Sequence, residues 1–327
     1  MTMPTIRLAA RAWDHLMPLA TDAVRADGLE LSLDLRGLTP DLLTEEGIDG
    51  AETSFSRYVV ARSRGDDRLV GLPVFLMRAF RHRCLLVRAD SELTALAELG
   101  GTRIGLTGWP DSGHTWTRGL IEAAGVDLST IEWSVGPLLP SADAKPGRDE
   151  DGLTPAHVRW LGPGDSLTAA LAEGRIDVLM TPFMPPGFHR SDAAFRHLIA
   201  DYRSAELADY RHRGFVPGIH LLTVRRQVAN DHPWVLAAVA DALERSKRAW
   251  HLSRQKYADT TPWMLADIDA TVKVFGDDWM PYGTAANARM TREFCLAMHA
   301  QGTITSPLDP ASLFTEFDRQ TVKESSS

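Results

Sequence analysis

The chain has 327 residues, of which 44% are hydrophobic and 24% charged, and its formal net charge is -8. These values are typical of a soluble globular protein and allow two cores of moderate size. The basic residues are scattered, and this disfavours a nucleic-acid partner, because phosphate recognition needs a concentrated positive surface. Cys84 and Cys295 are the two cysteines, which argues against a disulfide framework or a thiolate zinc site.

The sequence begins Met-Thr-Met-Pro-Thr-Ile-Arg-Leu, which is strand-like and lacks the basic start, apolar stretch and cleavage site of a secretory signal. No apolar run approaches the roughly 20 residues that are needed to cross a bilayer. We therefore expect a cytoplasmic protein without a membrane partner. The sequence allows a homo-oligomer but does not define one.

Short strand-like segments alternate with helical ones, which predicts an α/β architecture with mostly parallel sheets. The predicted strands are 5–10, 49–54, 69–76, 83–87, 102–107, 175–180 and 216–224. The predicted helices are 55–63, 91–99, 115–124, 166–173, one that begins at 232–234, one that begins at 261 and ends at 276, and 284–301. Residues 141–155 are polar and aperiodic, which predicts a long surface loop. The length allows two lobes, and a cleft between α/β lobes is a common ligand site.

The run Arg78-Ala-Phe-Arg-His-Arg-Cys84 follows a short apolar strand and is the strongest chemical signal. Guanidinium groups match carboxylates, and imidazole can move a proton near neutral pH. In an acidic protein this run predicts a pocket for a small organic anion. A solvated basic strand explains the spacing equally well.

Three other segments could contribute to a site. The loop from Gly108 to Thr115 has the spacing of a phosphate-binding loop, but His114 stands where the lysine should be. Two other interpretations of this loop are open: a helix N-terminus that attracts an anion, or a simple turn. Ser54 and Ser56 could bind a ligand or cap a helix, and no Gly-x-Ser-x-Gly elbow supports a hydrolase. His220 lies on a predicted strand, where a structural role is the usual one. No metal-ligand spacing is present, so we expect no metal.

Several motifs resemble the 4,5-dihydroxyphthalate decarboxylase family, in order and over nearly the whole chain. They are Ser54-x-Ser56-x-Tyr58, Pro73-Val-Phe75, Arg78-Ala-Phe-Arg-His82, Trp116-x-Arg118-Gly119, His232-Pro-Trp234, Trp279-x-Pro-Tyr-Gly283 and Gln301-Gly302. The resemblance implies a type II periplasmic-binding-protein fold used as an enzyme. Lobe 1 would comprise residues 1–93 and 216–327, lobe 2 would comprise residues 94–215, and the ligand would bind in the cleft between them.

The resemblance also implies a cofactor-independent decarboxylase of a hydroxylated aromatic or related small carboxylic acid. Such a reaction needs an acid to protonate carbon, an acceptor for the phenolic proton and apolar walls. The expected catalytic residues are His82 or His220 as the proton donor and Asp14 as a proton acceptor or a cap of the following turn. The expected substrate-binding residues are Arg78 and Arg81 for the carboxylate, Ser54 and Ser56 for hydroxyl groups, Trp109 or Trp116 for the ring, and His114.

Two alternatives remain at this point: a non-catalytic protein that binds a small organic anion for transport or sensing, and another lyase on the same scaffold. One departure concerns the substrate. Family members tend to have basic residues near the first strand and after the strand around Ile176, where this chain has His15-Leu-Met17 and Phe183-Met184. We therefore expect a substrate that has fewer carboxylates, or is more apolar, than dihydroxyphthalate.

Overall fold

The computed structural model describes residues 3–140, 152–256 and 261–324. The strands are β1 Thr5–Arg11, β2 Glu30–Arg36, β3 Gly50–Ser54, β4 Leu69–Gly71, β5 Met77–Arg78, β6 Leu85–Arg88, β7 Arg103–Leu106, β8 Glu132–Val135, β9 Arg159–Trp160, β10 Val178–Met180, β11 Phe195–His197 and β12 Gly218–Arg225. The helices are α1 Met17–Ala20, α2 Phe55–Ser63, α3 Ser112–Ala123, α4 Leu167–Ala172, α5 Tyr202–Arg213, α6 Arg226–Asp231, α7 Val235–Lys256, α8 Met264–Phe275, α9 Thr284–Ala300 and α10 Thr315–Glu324.

The chain divides into two compact units. The first unit comprises Met1–Arg78, Gly218–Cys295 and Pro307–Ser327, and the second comprises Ala79–Pro217 and Leu296–Ser306. The chain first passes from one unit to the other after Arg78, whereas the prediction placed this crossing at residue 93. The crossing comes earlier because β6 is hydrogen bonded within the second unit's sheet. The second change, at residue 217, lies close to the predicted one. None of the helices in the described ranges is long and apolar enough to cross a membrane.

The sheet of the first unit has the order β2-β1-β3-β12-β4, and β5 also pairs with β12. β1 is parallel to β2 and β3, whereas β12 is antiparallel to β3, β4 and β5. Apolar side chains of β1, β4, β12 and α7 form the main core of this unit. The carboxyl ends of the parallel strands β1 and β3 therefore lie side by side, with β12 next to β3.

The sheet of the second unit has the order β11-β6-β10-β7-β8-β9. β7 is parallel to β8 and β10, but β6 is antiparallel to β10 and β11. Its core contains Trp109 and Trp133 together with apolar residues of β7, β8 and β10. The α/β class is confirmed, but the expectation of mostly parallel sheets is wrong. Both sheets are mixed, because β12 in one and β6 in the other run antiparallel to their neighbours.

Two predicted elements differ in ways that have local physical causes, and a third lies mostly outside the described residues. The predicted helix 91–99 is only a 3-10 turn, Leu96–Glu98, because the Glu98 carboxylate accepts hydrogen bonds from the backbone N–H groups of Thr94 and Ala95 at 2.7 and 3.0 Å. The predicted strand 69–76 stops at Gly71, before Pro73, which has no N–H for a ladder bond. The predicted loop 141–155 lies outside the described residues as far as residue 151.

The third helix begins earlier than predicted. We expected it to start at Thr115, but α3 starts at Ser112. The carboxylate of Asp111 accepts hydrogen bonds from the N–H groups of Gly113 and His114 at 2.7 and 3.2 Å, which caps the first turn. The segment with phosphate-loop spacing is therefore the capped beginning of a helix of 12 residues.

Candidate functional site

The strand ends of the first unit bring together side chains that are far apart in the sequence. Arg11 is the last residue of β1, and Glu52 lies near the end of β3. His220 of β12 is directly opposite Ser54 of β3. In open α/β sheets ligands bind at the carboxyl ends of parallel strands, so this edge is where a site is expected.

The side chain of Glu52 is fully buried, and both of its carboxylate oxygens have close polar partners. Its Oε1 lies 2.6 Å from Arg11 Nη1 and 2.6 Å from His220 Nδ1. Its Oε2 accepts hydrogen bonds from the Arg11 backbone N–H at 2.9 Å and from the Trp13 indole N–H at 2.8 Å. Arg11 Nη1 also lies 2.6 Å from His220 Nδ1, and because a guanidinium only donates, Nδ1 either accepts from Arg11 or donates to Glu52. A carboxylate, a guanidinium and an imidazole thus meet at one point.

Burial alone would raise the pKa of the Glu52 carboxyl, but the hydrogen bond and charge of His220, together with Arg11, hold that pKa below its usual range. Glu52 is therefore a carboxylate at neutral pH. When Nδ1 of His220 carries a proton and donates it to Glu52 Oε1, Nε2 is the nitrogen that exchanges protons with a ligand. The His220 side chain is 14% exposed, so it can be reached. This is the arrangement in which a carboxylate fixes the tautomer of an imidazole and stabilises its protonated form.

Two hydroxyl groups lie beside this cluster. Ser54 Oγ and Ser56 Oγ are 3.0 Å apart at the junction of β3 and α2. Ser54 occupies the N-cap position of α2, but its side chain does not make the capping hydrogen bond. The alternative role of Ser54 as the side-chain cap of α2 is therefore wrong, and its role in binding hydroxyl groups stays a prediction.

A series of aromatic rings in contact connects the Glu52 cluster to a pocket. Trp13 stacks on His15 with centroids 6.5 Å apart, and His15 meets the edge of Trp250 at 6.3 Å. Burial lowers the pKa of His15 to about 4, so this imidazole is neutral. Trp250 and the exposed Asp14 line a pocket of about 130 Å³. Its other walls include His251, Met264, Ile268, Val272 and Trp279. The pocket is large enough for one aromatic ring.

Arg78 is not available in the way the sequence indicated. It is buried, and its Nη2 donates to the Pro281 carbonyl at 2.8 Å and to the Asn287 side-chain oxygen. Its Nη1 lies 3.4 Å from the sulfur of Met290. Burial lowers the pKa of Arg78 to about 10. These contacts give Arg78 a structural role within the first unit.

Arg81 and His82 belong to the second unit and are also buried, so a solvated basic strand is the wrong explanation for this run. The guanidinium of Arg81 lies against Gly113, and its Nε and Nη2 have no hydrogen-bond partner among the described residues. Burial lowers the pKa of His82, although the charge of Asp209 partly opposes this. Arg213, which donates to Asp209 at 2.8 Å, lowers it further. His82 is therefore neutral at physiological pH.

Two other predicted contacts in the second unit, Trp109 and His114, have partners within the protein. Trp109 lies in the core, where Arg118 covers its ring at 4.0 Å and Trp133 meets it edge to face at 5.5 Å. His114 is buried with Nδ1 2.8 Å from the Gly108 carbonyl and Nε2 3.1 Å from the Met180 carbonyl. The expected ring-stacking role of Trp109 and ligand-binding role of His114 are therefore replaced by packing roles, since these groups are occupied by the protein itself.

Trp116 is also buried, with its ring 5.8 Å from that of Phe215 and 6.0 Å from the guanidinium of Arg213. Its predicted contact with a substrate ring stays a prediction. Within the described residues, no group of three or more His, Cys, Asp or Glu side chains could hold a metal ion.

The sequence-based search missed Arg11, Trp13 and Glu52. One signal was present: Glu52 follows Gly50 and Ala51 on a predicted strand, and a carboxylate that is buried in a sheet is costly unless it is paired. Its partners could not be identified from spacing, because Arg11 is 41 residues away and His220 is 168 residues away.

The fold is that of type II periplasmic-binding proteins. The aliphatic sulphonate-binding protein SsuA of Escherichia coli matches with a TM-score of 0.54 and 14% identity, covering 96% of this chain and 100% of that one. SsuA of Xanthomonas axonopodis pv. citri, bound to MOPS, matches with a TM-score of 0.53 and 14% identity, covering 96% and 99%. At these identities the likeness concerns the fold.

Two sequence relatives are more specific, whereas no family model matches the chain. The 4,5-dihydroxyphthalate decarboxylase of Comamonas testosteroni is 30% identical over 321 residues, which cover 94% of this chain and 96% of that protein. The enzyme of the same name from Pseudomonas putida is 26% identical over 220 residues, which cover 63% and 81%. The chain belongs to the 4,5-dihydroxyphthalate decarboxylase family, and the resemblance of the motifs is confirmed.

Proposed function

We propose that the protein is a cofactor-independent decarboxylase of a hydroxylated aromatic or related small carboxylic acid. Membership in a family named for such a reaction supports this class. The observation that carries the proposal is the Glu52–His220 pair, with Nδ1 of the imidazole 2.6 Å from a buried carboxylate. A histidine held in this way can deliver a proton from Nε2 and is stabilised while it is charged.

In the proposed reaction, His220 Nε2–H protonates the ring carbon that carries the carboxylate, so that a C–H bond forms. The bond to the carboxylate then breaks, carbon dioxide leaves, and its electron pair restores the aromatic ring. A ring hydroxyl assists by electron release if its proton is accepted. Asp14, which lines the pocket beside Trp250, remains the predicted acceptor, and Ser54 and Ser56 remain the predicted hydroxyl-binding residues. One proton is consumed for each carbon dioxide released.

The first experiment is a turnover assay with 4,5-dihydroxyphthalate and a panel of mono- and dihydroxybenzoates, following carbon dioxide and the phenolic product. We expect release from at least one of them. The variant His220→Gln should lower kcat about 10²- to 10⁴-fold, which is the usual contribution of a general acid. His82→Gln is the matched variant in the other predicted proton donor, and full activity in it would remove His82 from the mechanism.

Two results would contradict the proposal. If His220→Gln retains wild-type turnover, the Glu52–His220 pair is not the proton source. If a panel compound binds tightly in calorimetry and is recovered unchanged after long incubation, while no compound is turned over, the protein is a binding protein of the same fold.

A further inference from the structure

The second unit contains a buried guanidinium, that of Arg81, in which two nitrogen atoms lack a hydrogen-bond partner among the described residues. Arg81 is 1% exposed, yet its Nε and Nη2 have no partner among the described residues. Buried donors are nearly always paired, because an unpaired one loses its hydration without compensation. For a positively charged group this cost is larger, so the exception needs a physical explanation.

The two unpaired atoms belong to the same edge of the guanidinium. The N–H groups of Nε and of one terminal nitrogen point the same way and are spaced like the two oxygens of a carboxylate, which they bind in a bidentate manner. The missing partner is therefore best supplied by a planar group with two acceptor oxygens. A water oxygen can accept from both donors, but it brings no negative charge to the buried cation.

The position of Arg81 provides a second and independent indication. Its guanidinium lies against the first turn of α3, a helix of 12 residues whose N-terminus carries a partial positive charge. Placing a cation at this end of a helix is unfavourable unless an anion joins them. The neighbouring Asp111 supplies negative charge, but its hydrogen bonds go to the N–H groups of Gly113 and His114. It leaves the donors of Arg81 unfilled.

Gly113 makes this arrangement possible. A Cβ atom at residue 113 would lie 2.5 Å from both Cζ and Nη2 of Arg81 and 3.0 Å from Nε. These distances are shorter than van der Waals contact, so the guanidinium would have to move. Glycine at this position therefore sets where the guanidinium lies.

We propose that Arg81 and the first turn of α3 form a binding site for a carboxylate group in the second unit, with Gly113 as a positioning residue. The substrate class that this site would take, a small aromatic carboxylate, rests on the proposed function. Of the two arginines that the sequence assigned to the carboxylate, Arg81 has the donors for this role, whereas the terminal nitrogens of Arg78 bind Pro281, Asn287 and Met290.

The test is calorimetric titration of the full chain with benzoate and with benzamide, its neutral analogue. Benzoate lacks the ring hydroxyl that the proposed decarboxylation needs, so binding is measured without turnover. We expect wild-type protein to bind benzoate at least about tenfold more tightly than benzamide, as the loss of one charge-assisted hydrogen bond implies. Arg81→Lys keeps the charge but loses the paired geometry, and Gly113→Ala displaces the guanidinium. Each should weaken benzoate binding about tenfold or more.

Arg83→Lys is the matched control, because it makes the same change two residues away and should leave the affinity for benzoate unchanged. Equal affinities in Arg81→Lys and Arg83→Lys, or equal binding of benzoate and benzamide by the wild type, would overturn the proposal. If Arg81→Lys does not fold, Gly113→Ala decides, since it retains Arg81. If no hydroxybenzoate is turned over but benzoate binding depends on Arg81, the proposed function is rejected and the carboxylate site is retained.

Discussion

The Glu52 cluster of the first unit and the Arg81 edge of the second unit are both buried and charged, but only one of them is internally complete. Every Glu52 oxygen has protein donors, and the carboxylate is matched by Arg11 and His220. Arg81 has a charged neighbour in Asp111 but no partner for its Nε and Nη2 in the described part of the chain. A complete cluster fixes the geometry of its groups, whereas an incomplete one keeps donors for a ligand. The predictions below test this difference.

The largest effect is expected when the complete cluster is broken without changing its shape. Glu52→Gln replaces the carboxylate with an amide that no longer stabilises a charged imidazole at His220. We expect kcat to fall about a hundredfold or more, with little change in KM, and the pH profile of kcat to shift. Steady-state kinetics against pH measures both. Glu46→Gln, which changes an exposed glutamate on the loop before β3, is the control and should behave as wild type. An unchanged kcat in Glu52→Gln would mean that the cluster is only structural.

His15 tests what an unpaired buried group does in the first unit. Its Nε2 is buried without a partner in the described ranges, and its pKa is lowered to about 4 by burial. Because the folded pKa lies below the unfolded value of about 6.5, protons bind preferentially to the unfolded chain. The contribution of neutral His15 to the free energy of unfolding is therefore fully present above about pH 6.5. It is lost as the pH falls towards about 4, by up to about 3 kcal/mol.

The measurement is the free energy of unfolding of wild type and His15→Gln at intervals between pH 4 and 8. The difference between the two proteins should change across the window from about 6.5 to about 4. Taking the difference between the two proteins cancels the effect of other groups that titrate in the same pH range. One such group is Glu206, whose pKa burial raises to about 7. A difference that does not vary with pH would show that His15 titrates normally.

The comparison also shows which parts of this molecule could be predicted from its sequence. The bounds of α2 were predicted correctly, and so was β1 to within one residue, because apolar periodicity is a local property of the chain. Ser54 and Ser56 were correctly placed at the junction of a strand and a helix, and His220 was correctly placed on a strand. Glu52 and Arg11 were missed, because their pairing depends on how β1, β3 and β12 align, which spacing along the chain does not reveal.

The motifs behind the family resemblance mostly contact one another. Arg78 donates to the carbonyl of Pro281, and the N–H of Gly283 donates to the carbonyl of Pro73 at 2.9 Å. In the second unit, Arg118 Nε donates to the side-chain oxygen of Gln301 at 2.8 Å. These motifs therefore identify the fold correctly while indicating little about the chemistry. This explains why Arg78, a prominent motif residue, was assigned to the substrate although its terminal nitrogens contact Pro281, Asn287 and Met290.

Arg118 is the paired counterpart of Arg81 within the second unit. It is fully buried, donates to Gln301, to the Trp109 carbonyl at 3.0 Å and to Thr115, and covers the ring of Trp109. Arg118→Met should lower the free energy of unfolding by about 2 kcal/mol, because several buried acceptors lose a charged donor. Urea denaturation measures this. A variant as stable as wild type would mean that these hydrogen bonds only balance the desolvation of the guanidinium.

The smallest change in stability, and the one with opposite sign, is expected for Arg81→Met. Methionine fills a similar volume without the unpaired donors, so the ligand-free protein should be as stable as wild type or more stable by about 1 kcal/mol. The same variant should lose the increase in unfolding temperature that benzoate gives the wild type, because ligand binding stabilises only a protein that retains the site. Gain of stability together with loss of ligand response is the combination that a structural arginine cannot produce. A loss of stability as large as that of Arg118→Met would show that Arg81 has protein partners after all.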